Sequence, residues 1–234
     1  VTAAPATGRL LAGALPPEVV LEELFGDPDA ELYPEEAALV AGAGPARRRE
    51  FAAVRLCARR ALARIGCAPG PVLPAADGPP WARRAPRWPD GVVGSMTHCE
   101  GYRAAAVARR GAVASVGVDA EPNLPLPAGV GGAALLPEER DTVARLSAAH
   151  PGIAWDRLVF SAKESVFKTW YPLTRRWLDF PECVILPDPR NGTFTGTLRV
   201  PGPVVAGVRV DRFHGRWRIS PEPGNRLLAT GVVV

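Results

Sequence analysis

Lysine is almost missing from this chain. Of 28 Lys and Arg residues only Lys163 and Lys168 are lysine, and both fall within Phe160-Ser161-Ala162-Lys163-Glu164-Ser165-Val166-Phe167-Lys168. A chain that writes arginine wherever a cation is wanted, yet keeps two ammonium groups flanking one glutamate, marks a segment that needs a compact charge with a movable pKa. Cysteine is sparse as well. Cys57, Cys67, Cys99 and Cys183 are scattered, with no CxxC pair and only 3 histidines to help, which argues against a zinc site or a disulfide framework. Reduced thiols in a cytoplasmic protein are the expectation. No apolar run approaches the roughly 20 residues that cross a bilayer, so no membrane partner is expected. Val1 to Leu15 is Ala-rich but has no charged stretch leading into a continuous apolar core, and is not read as a signal peptide.

What is present bounds the fold. A hydrophobic content of 47% over 234 residues is enough for a core, in one larger domain or two small lobes. The net charge of +4 favours an anionic partner. A nucleic-acid module would set its basic clusters among aromatics or on a reading helix. Neither accompanies Arg47-Arg48-Arg49, Arg83-Arg84 or Arg175-Arg176, so nucleic acid is not expected. Arg59, Arg60 and Arg64 are expected on a solvated helix face.

From Pro45, Phe51, Val54, Ala58, Ala61, Leu62 and Ile65 recur at threes and fours until Gly66, the pattern of one buried helical stripe with a C-terminal glycine. Gly66 to Pro89 is Pro-, Gly-, Ala- and Arg-rich and reads as a long loop. Val92–Thr97, Arg103–Arg109 and Ser115–Glu121 read as strands, and the Pro/Gly-rich Asn123–Gly132 breaks the chain near its middle. A short helix over Pro137–Ala149 and a long one over Ile153–Trp170 follow. Strands are expected at Thr193–Val200, Val204–Val210, Arg216–Ser220 and Leu227–Val234. No close repeat is visible. Helices paired with antiparallel strands in both halves make the class α+β.

Two constellations carry chemistry. In Val116-Gly117-Val118-Asp119-Ala120-Glu121-Pro122, Asp119 and Glu121 are two apart and project from one face of a strand. Such a pair suits a hard cation like Mg²⁺, which takes few carboxylates and completes its shell with water and phosphate oxygens. Two surface acids on an edge strand would look the same. In the long helix Leu158, Ala162, Val166 and Trp170 form a core stripe, while Glu164 and Lys168 share another face. By themselves they could be an ordinary ion pair worth about 0.2–0.5 kcal/mol. Together with Asp119 and Glu121 they could instead serve phosphate chemistry.

Gly117-Val118-Asp119-Ala120-Glu121, followed by Phe160 to Lys168, resembles the paired signature of the 4′-phosphopantetheinyl transferases. Arg47-Arg48-Arg49-Glu50-Phe51 with Arg55, and Trp88-Pro89-Asp90-Gly91-Val92-Val93-Gly94-Ser95-Met96-Thr97-His98-Cys99, are similar to that family's two upstream blocks. The similarity runs from about Pro34 to the C-terminus. Its character is that of the longer Sfp/EntD type, closest to the actinobacterial PptT-like branch, where Tyr171-Pro172-Leu173-Thr174-Arg175-Arg176-Trp177-Leu178 also has a counterpart. The chain departs from the pattern at Asp77 to Arg87, longer and richer in arginine than the turn expected there.

The resemblance implies a pseudo-dimeric α+β fold of two similar lobes, each with a helix packed on an antiparallel sheet. Residues 1–115 would bind the coenzyme A nucleotide, and residues 116–234 would carry the metal site and catalytic helix. It implies a holo-[acyl-carrier-protein] synthase that moves the 4′-phosphopantetheine arm of coenzyme A to a serine of an apo acyl or peptidyl carrier protein, releasing adenosine 3′,5′-bisphosphate. Fatty-acid, polyketide, nonribosomal-peptide and siderophore carriers all remain open. Another Mg²⁺-dependent phosphate-transfer enzyme and a basic nucleic-acid module are the alternatives. By the same resemblance Asp119, Glu121 and Glu164 hold Mg²⁺, or Mn²⁺ in its place. Glu164 is the base toward the carrier serine, directly or through water, and Lys168 meets the pyrophosphate. Arg47 or Arg48, Arg55, Thr97 and His98 contact the coenzyme. Among Arg83, Arg84 and Arg87, Arg84 is taken as a further phosphate contact. Lys163 receives no role. A monomer is expected. Leu124, Leu126, Val130, Leu135 and Leu136, rimmed by arginine, are expected to seat the carrier.

Overall fold

The computed structural model describes residues 10–75, 79, 85–220 and 227–234. In chain order its elements are β1 (Val20–Phe25), α1 (Pro34–Leu39), α2 (Pro45–Arg64), β2 (Val92–Cys99), β3 (Tyr102–Arg109), β4 (Val116–Pro122), α3 (Val130–Ala134), α4 (Pro137–Ala149), α5 (Trp155–Thr174), β5 (Cys183–Asp188), β6 (Thr193–Leu198), β7 (Val204–Val205), β8 (Val208–Arg209), β9 (Arg212–Ile219) and β10 (Leu227–Val233). All the strand pairs are antiparallel, in a three-stranded sheet β1-β3-β2, a five-stranded sheet β4-β10-β9-β6-β5 and the small β7-β8 hairpin. The class is α+β, as expected.

The alanines of β3 explain how the layers stack. Ala105 and Val107 face Cys57, Ala58, Ala61 and Leu62 of α2, while Ala104, Ala106 and Ala108 face Val116, Val118, Ala120 and Ala229 of the larger sheet. A strand buried on both faces between a helix and a second sheet needs small side chains. Two edge strands, β2 and β4, meet at this seam without a ladder. Ser95 Oγ accepts from the Val118 N–H at 3.0 Å, and Thr97 Oγ1 accepts from the Ala120 N–H at 3.0 Å. Side-chain hydroxyls thus satisfy backbone donors that a neighbouring strand would otherwise have to meet.

On the other side of the larger sheet, Leu158, Ala162, Val166 and Trp170 of α5 are fully buried among Ile185, Phe194, Phe213 and Leu228. Burying the stripe of one leucine-sized side chain contributes on the order of 1.5–3 kcal/mol, and α5 buries several. The approach to β4 is close. A Cβ at Gly117 would stand 2.1 Å from the Ser165 carbonyl oxygen and 2.5 Å from Thr169 Oγ1, so only glycine lets α5 lie this near the carboxylate strand.

A repeat that the sequence shows only as a shared Pro-Glu-Glu becomes plain in three dimensions. α1 and α4 both begin Pro-Glu-Glu, and the second glutamate of each, Glu36 and Glu139, is buried and accepts from its helix's N-cap backbone N–H, Tyr33 at 3.2 Å and Leu136 at 2.8 Å. Each also accepts from a backbone N–H of the chain that follows the long helix, Val72 at 2.9 Å and Ile185 at 2.7 Å. Each pairs with a cation of that long helix. Arg59 Nη1 lies 2.8 Å from Glu36 Oε2, and Lys163 Nζ lies 2.8 Å from Glu139 Oε2. The lobes share one device, a buried glutamate clamp.

Several expectations are corrected. Arg59 is not on a solvated face, since it enters the Glu36 clamp; Arg60 and Arg64 are exposed as expected, Arg64 pairing with Glu22 at 2.6 Å. α5 continues past Trp170 through Pro172, whose position in the last turn removes only one late helical bond, and it stops at Arg175 in the left-handed region, φ 56°. The expected strand Val204–Val210 is split into β7 and β8 by Ala206 and Gly207, with φ 48° and 81°. β1, α1, α3 and β5 were not expected. β1 mixes acids with apolar residues on an edge, α3 contains Gly131 and Gly132, and the edge strand β5 carries Pro187. Leu135 is a core residue at 5% exposure, so it cannot seat a partner, whereas Leu124 at 58% and Val130 at 37% are exposed.

Candidate active site

β4 carries Asp119 and Glu121, and α5 carries Glu164 and Lys168; the Gly117 contact brings the two elements together. Lys168 Nζ donates to Asp119 Oδ1 at 2.7 Å and to the Val118 carbonyl oxygen at 3.1 Å. Thr97 Oγ1 donates to the same Oδ1 at 3.3 Å. Asp119 Oδ2 is buried and has no partner. Glu121 Oε2 accepts from Arg157 Nη1 at 2.9 Å. Glu164 is half-buried, with no hydrogen-bond partner among the described residues.

The electrostatics couple these groups. Burial pushes the Glu121 carboxyl up, as does the charge of Asp119, against the pull of Arg157. Burial also pushes Glu164 up, opposed by Lys168 and reinforced by Asp119. Asp119 raises both glutamates, and these three carboxylates are short of positive charge. They do not form a closed cage: among the described residues no three His, Cys, Asp or Glu side chains converge to hold a metal by themselves. An open set of acids with an orphaned buried oxygen fits a hard cation that keeps water and takes substrate oxygens, and it does not fit a zinc-type closed shell.

A second cluster lies at the end of β2. His98 Nδ1 is 3.2 Å from Glu50 Oε1, and its Nε2 is 3.3 Å from Arg47 Nη1. The register His98↔Arg103 places Arg103 alongside, 3.5 Å from Glu50 and 2.9 Å from Asp27. Burial holds His98 below its ordinary value, against the pull of Glu50. The structure therefore brings Arg47 and His98 together. It turns Arg48 elsewhere, onto the carbonyl oxygens of Ala41 and Ala43. Arg55 is buried, its guanidinium carbon 4.1 Å above the Phe51 ring, its Nε without a hydrogen bond, and burial lowers its pKa to about 10. Thr97 uses its hydroxyl at the seam, on Asp119 and Ala120. Arg84 lies outside the described residues.

Sequence reasoning missed Arg157 and Arg103. A signal for Arg157 existed: it precedes Glu164 by seven residues, two helical turns, and so shares the face of Glu164 and Lys168. Lys163, left without a role, is buried at 3% exposure and donates to Glu139 and to the Phe180 carbonyl oxygen at 2.8 Å. It belongs to the clamp and does not face the carboxylates of β4.

Two lobes meeting at coupled carboxylates, with a lysine on one side and an Arg-His pair on the other, define an enzyme of phosphate chemistry. Residues 35–108 match the 4′-phosphopantetheinyl transferase N-terminal domain, and residues 115–219 match the 4′-phosphopantetheinyl transferase superfamily. The chain is 55% identical over 229 residues to the 4′-phosphopantetheinyl transferase Svp of Streptomyces mobaraensis, covering 96% of this chain and 89% of that protein. It is 42% identical over 236 residues to PptT of Mycobacterium tuberculosis, covering 97% and 99%, and 44% identical over 215 residues to Npt of Nocardia iowensis, covering 88% and 93%. The chain belongs to the 4′-phosphopantetheinyl transferase family, in its actinobacterial PptT-like branch. Its activity is transfer of the phosphopantetheine arm of coenzyme A to carrier proteins.

Proposed function

We propose that the transfer is Mg²⁺-dependent, that Mn²⁺ substitutes, and that Asp119, Glu121 and Glu164 hold the cation. The carrying observation is Asp119: one oxygen is fixed by Lys168 and Thr97, and the other is buried without a partner. When bound, the cation would neutralise pyrophosphate oxygens that the acids alone would repel.

The remaining roles belong to side chains. Glu164, raised by burial and free of hydrogen bonds among the described residues, takes the proton of the carrier serine, directly or through water. The serine oxygen forms a bond to the phosphorus of the phosphopantetheine arm, and the bond from that phosphorus to the bridging oxygen breaks. The leaving group is adenosine 3′,5′-bisphosphate, and the Lys168 ammonium stabilises the charge that develops on it. Arg47 and His98 face the nucleotide phosphates, and the guanidinium of Arg55, whose Nε lies 3.9 Å from the Glu36 carboxylate, is a further cation for a phosphate oxygen. In this reading residues 1–115 form the nucleotide lobe and residues 116–234 the metal and catalytic lobe. The enzyme works as a cytoplasmic monomer, with neither nucleic acid nor membrane as a partner.

The test is intact-mass detection of the added arm on an apo carrier protein. Asp119→Ala and removal of divalent cation by chelation are each expected to abolish the mass increase, with coenzyme A still bound. Full transfer in the chelated enzyme would overturn the cation assignment.

A further inference from the structure

Arg157 makes three bonds near the second β4 carboxylate. Nη1 donates to Glu121 Oε2 at 2.9 Å, Nε to the Leu124 carbonyl oxygen at 3.0 Å and Nη2 to the Pro125 carbonyl oxygen at 2.9 Å. All are well within hydrogen-bond range, and the Arg157 side chain is only 14% exposed. The backbone it grips is itself held. Asp156 Oδ2 accepts from the Leu126 N–H, and Asn123 bridges to the Gly152 carbonyl oxygen and the Ala154 N–H. The start of α5 and the connection after β4 are therefore one rigid frame, and Arg157 is the side chain that ties Glu121 to it.

The pattern parallels Asp119. There a cation from α5, Lys168, binds one carboxylate oxygen and a backbone carbonyl and leaves the other oxygen open. At Glu121 a cation from α5 binds Oε2 and two backbone carbonyls, and Oε1 has no partner among the described residues. We propose that Arg157 is a positioning residue for the cation site, fixing the Glu121 carboxylate so that one defined oxygen is presented to the metal. The proposal rests on the cation reading of the β4 carboxylates. Outer partners of this kind commonly change metal affinity about 10–100-fold when altered.

Two effects of opposite sign must be separated, because Arg157 also repels a cation. Arg157→Lys keeps the charge but gives up the three-pronged fork, so it isolates orientation from repulsion. Asn123→Ala loosens the same connection without touching Glu121 and reports the purely structural effect. The experiment is Mn²⁺ titration of the whole chain without coenzyme A, followed by the electron paramagnetic resonance signal of free Mn²⁺, with melting curves alongside. The expected result is that Arg157→Lys weakens Mn²⁺ about tenfold or more. Asn123→Ala should lower the melting temperature while leaving Mn²⁺ affinity as in the unaltered protein. Unchanged affinity in Arg157→Lys with tighter binding in Arg157→Met would show that Arg157 acts only as a repelling charge, and would overturn the proposal. Equal weakening by Asn123→Ala would overturn it too. Mn²⁺ binding that survives Asp119→Ala would instead sink the cation reading itself, and this inference with it.

Discussion

Lys168 Nζ stands 2.7 Å from Asp119 Oδ1, binding α5 to the carboxylate strand β4 by an ion pair that is one-quarter exposed on its lysine side and nearly buried on its aspartate side. Removing the lysine leaves a buried carboxylate without its charge partner. Lys168→Met is expected to cost about 2–3 kcal/mol, at or below the low end for buried pairs because the ammonium is partly solvated. Mg²⁺ should restore more stability to this variant than to the unaltered enzyme, since a cation can then take both Asp119 oxygens. Thermal melts with and without Mg²⁺ check this, and equal shifts in the two proteins would contradict it.

Lys163 gives the opposite pattern. Its partner Glu139 is fully buried and holds α4, α5 and β5 together through Lys163, Leu136 and Ile185. Lys163→Met is therefore expected to lose about 3–5 kcal/mol in urea unfolding, while the turnover number of the molecules still folded stays close to normal. A normal unfolding midpoint with a collapsed turnover number would return Lys163 to the chemistry.

Carrier docking is a proposal that the burial pattern reshapes. Leu124 is exposed beside the backbone gripped by Arg157, whereas Leu135 is packed in the core. Leu124→Asp is expected to raise the carrier KM and leave the coenzyme A KM unchanged. Leu135→Ala is expected to destabilise by about 2–5 kcal/mol without that selectivity. Steady-state kinetics with each substrate varied in turn will tell them apart.

His98 makes stability depend on pH in a defined direction. Burial lowers its folded-state pKa below the unfolded value of 6.5, so the unfolded chain binds the proton more readily. Its neutral form costs nothing above that value, and stability is lost as pH falls through 6.5 toward the lower folded pKa. His98→Gln should flatten this part of the melting-temperature profile. An unchanged slope would mean that other groups titrate there.

The chemistry was more legible in the sequence than the scaffold around it. Asp119, Glu121, Glu164 and Lys168 stand at strand and helix spacings that put them on common faces, and α2, β2, β3, β4 and α4 are bounded by clear periodicity and by Pro or Gly. The lysine scarcity singled out α5, but the two lysines have different surroundings, Lys163 pairing with the buried Glu139 and Lys168 with Asp119. What stayed hidden depends on partners distant in sequence. The Glu36 and Glu139 clamps need a cation 23 or 24 residues downstream, and nothing local distinguishes a buried glutamate from a surface one. Thr97 likewise reads as a site residue of the β2 terminus, and its bonds to Asp119 and Ala120 exist only because two sheet edges meet.

The most direct measurement is single-turnover transfer by Glu164→Gln, read by intact mass on an apo carrier protein, beside calorimetric titration of coenzyme A with Mg²⁺ present. The substitution keeps the size of the side chain and removes the proton acceptor. The account predicts a folded protein that still binds coenzyme A and adds the arm at least about 100-fold more slowly, the scale of a lost general base. Transfer at the unaltered rate would contradict the assignment of Glu164, and with it the account of how the carboxylates of β4 and α5 share the reaction.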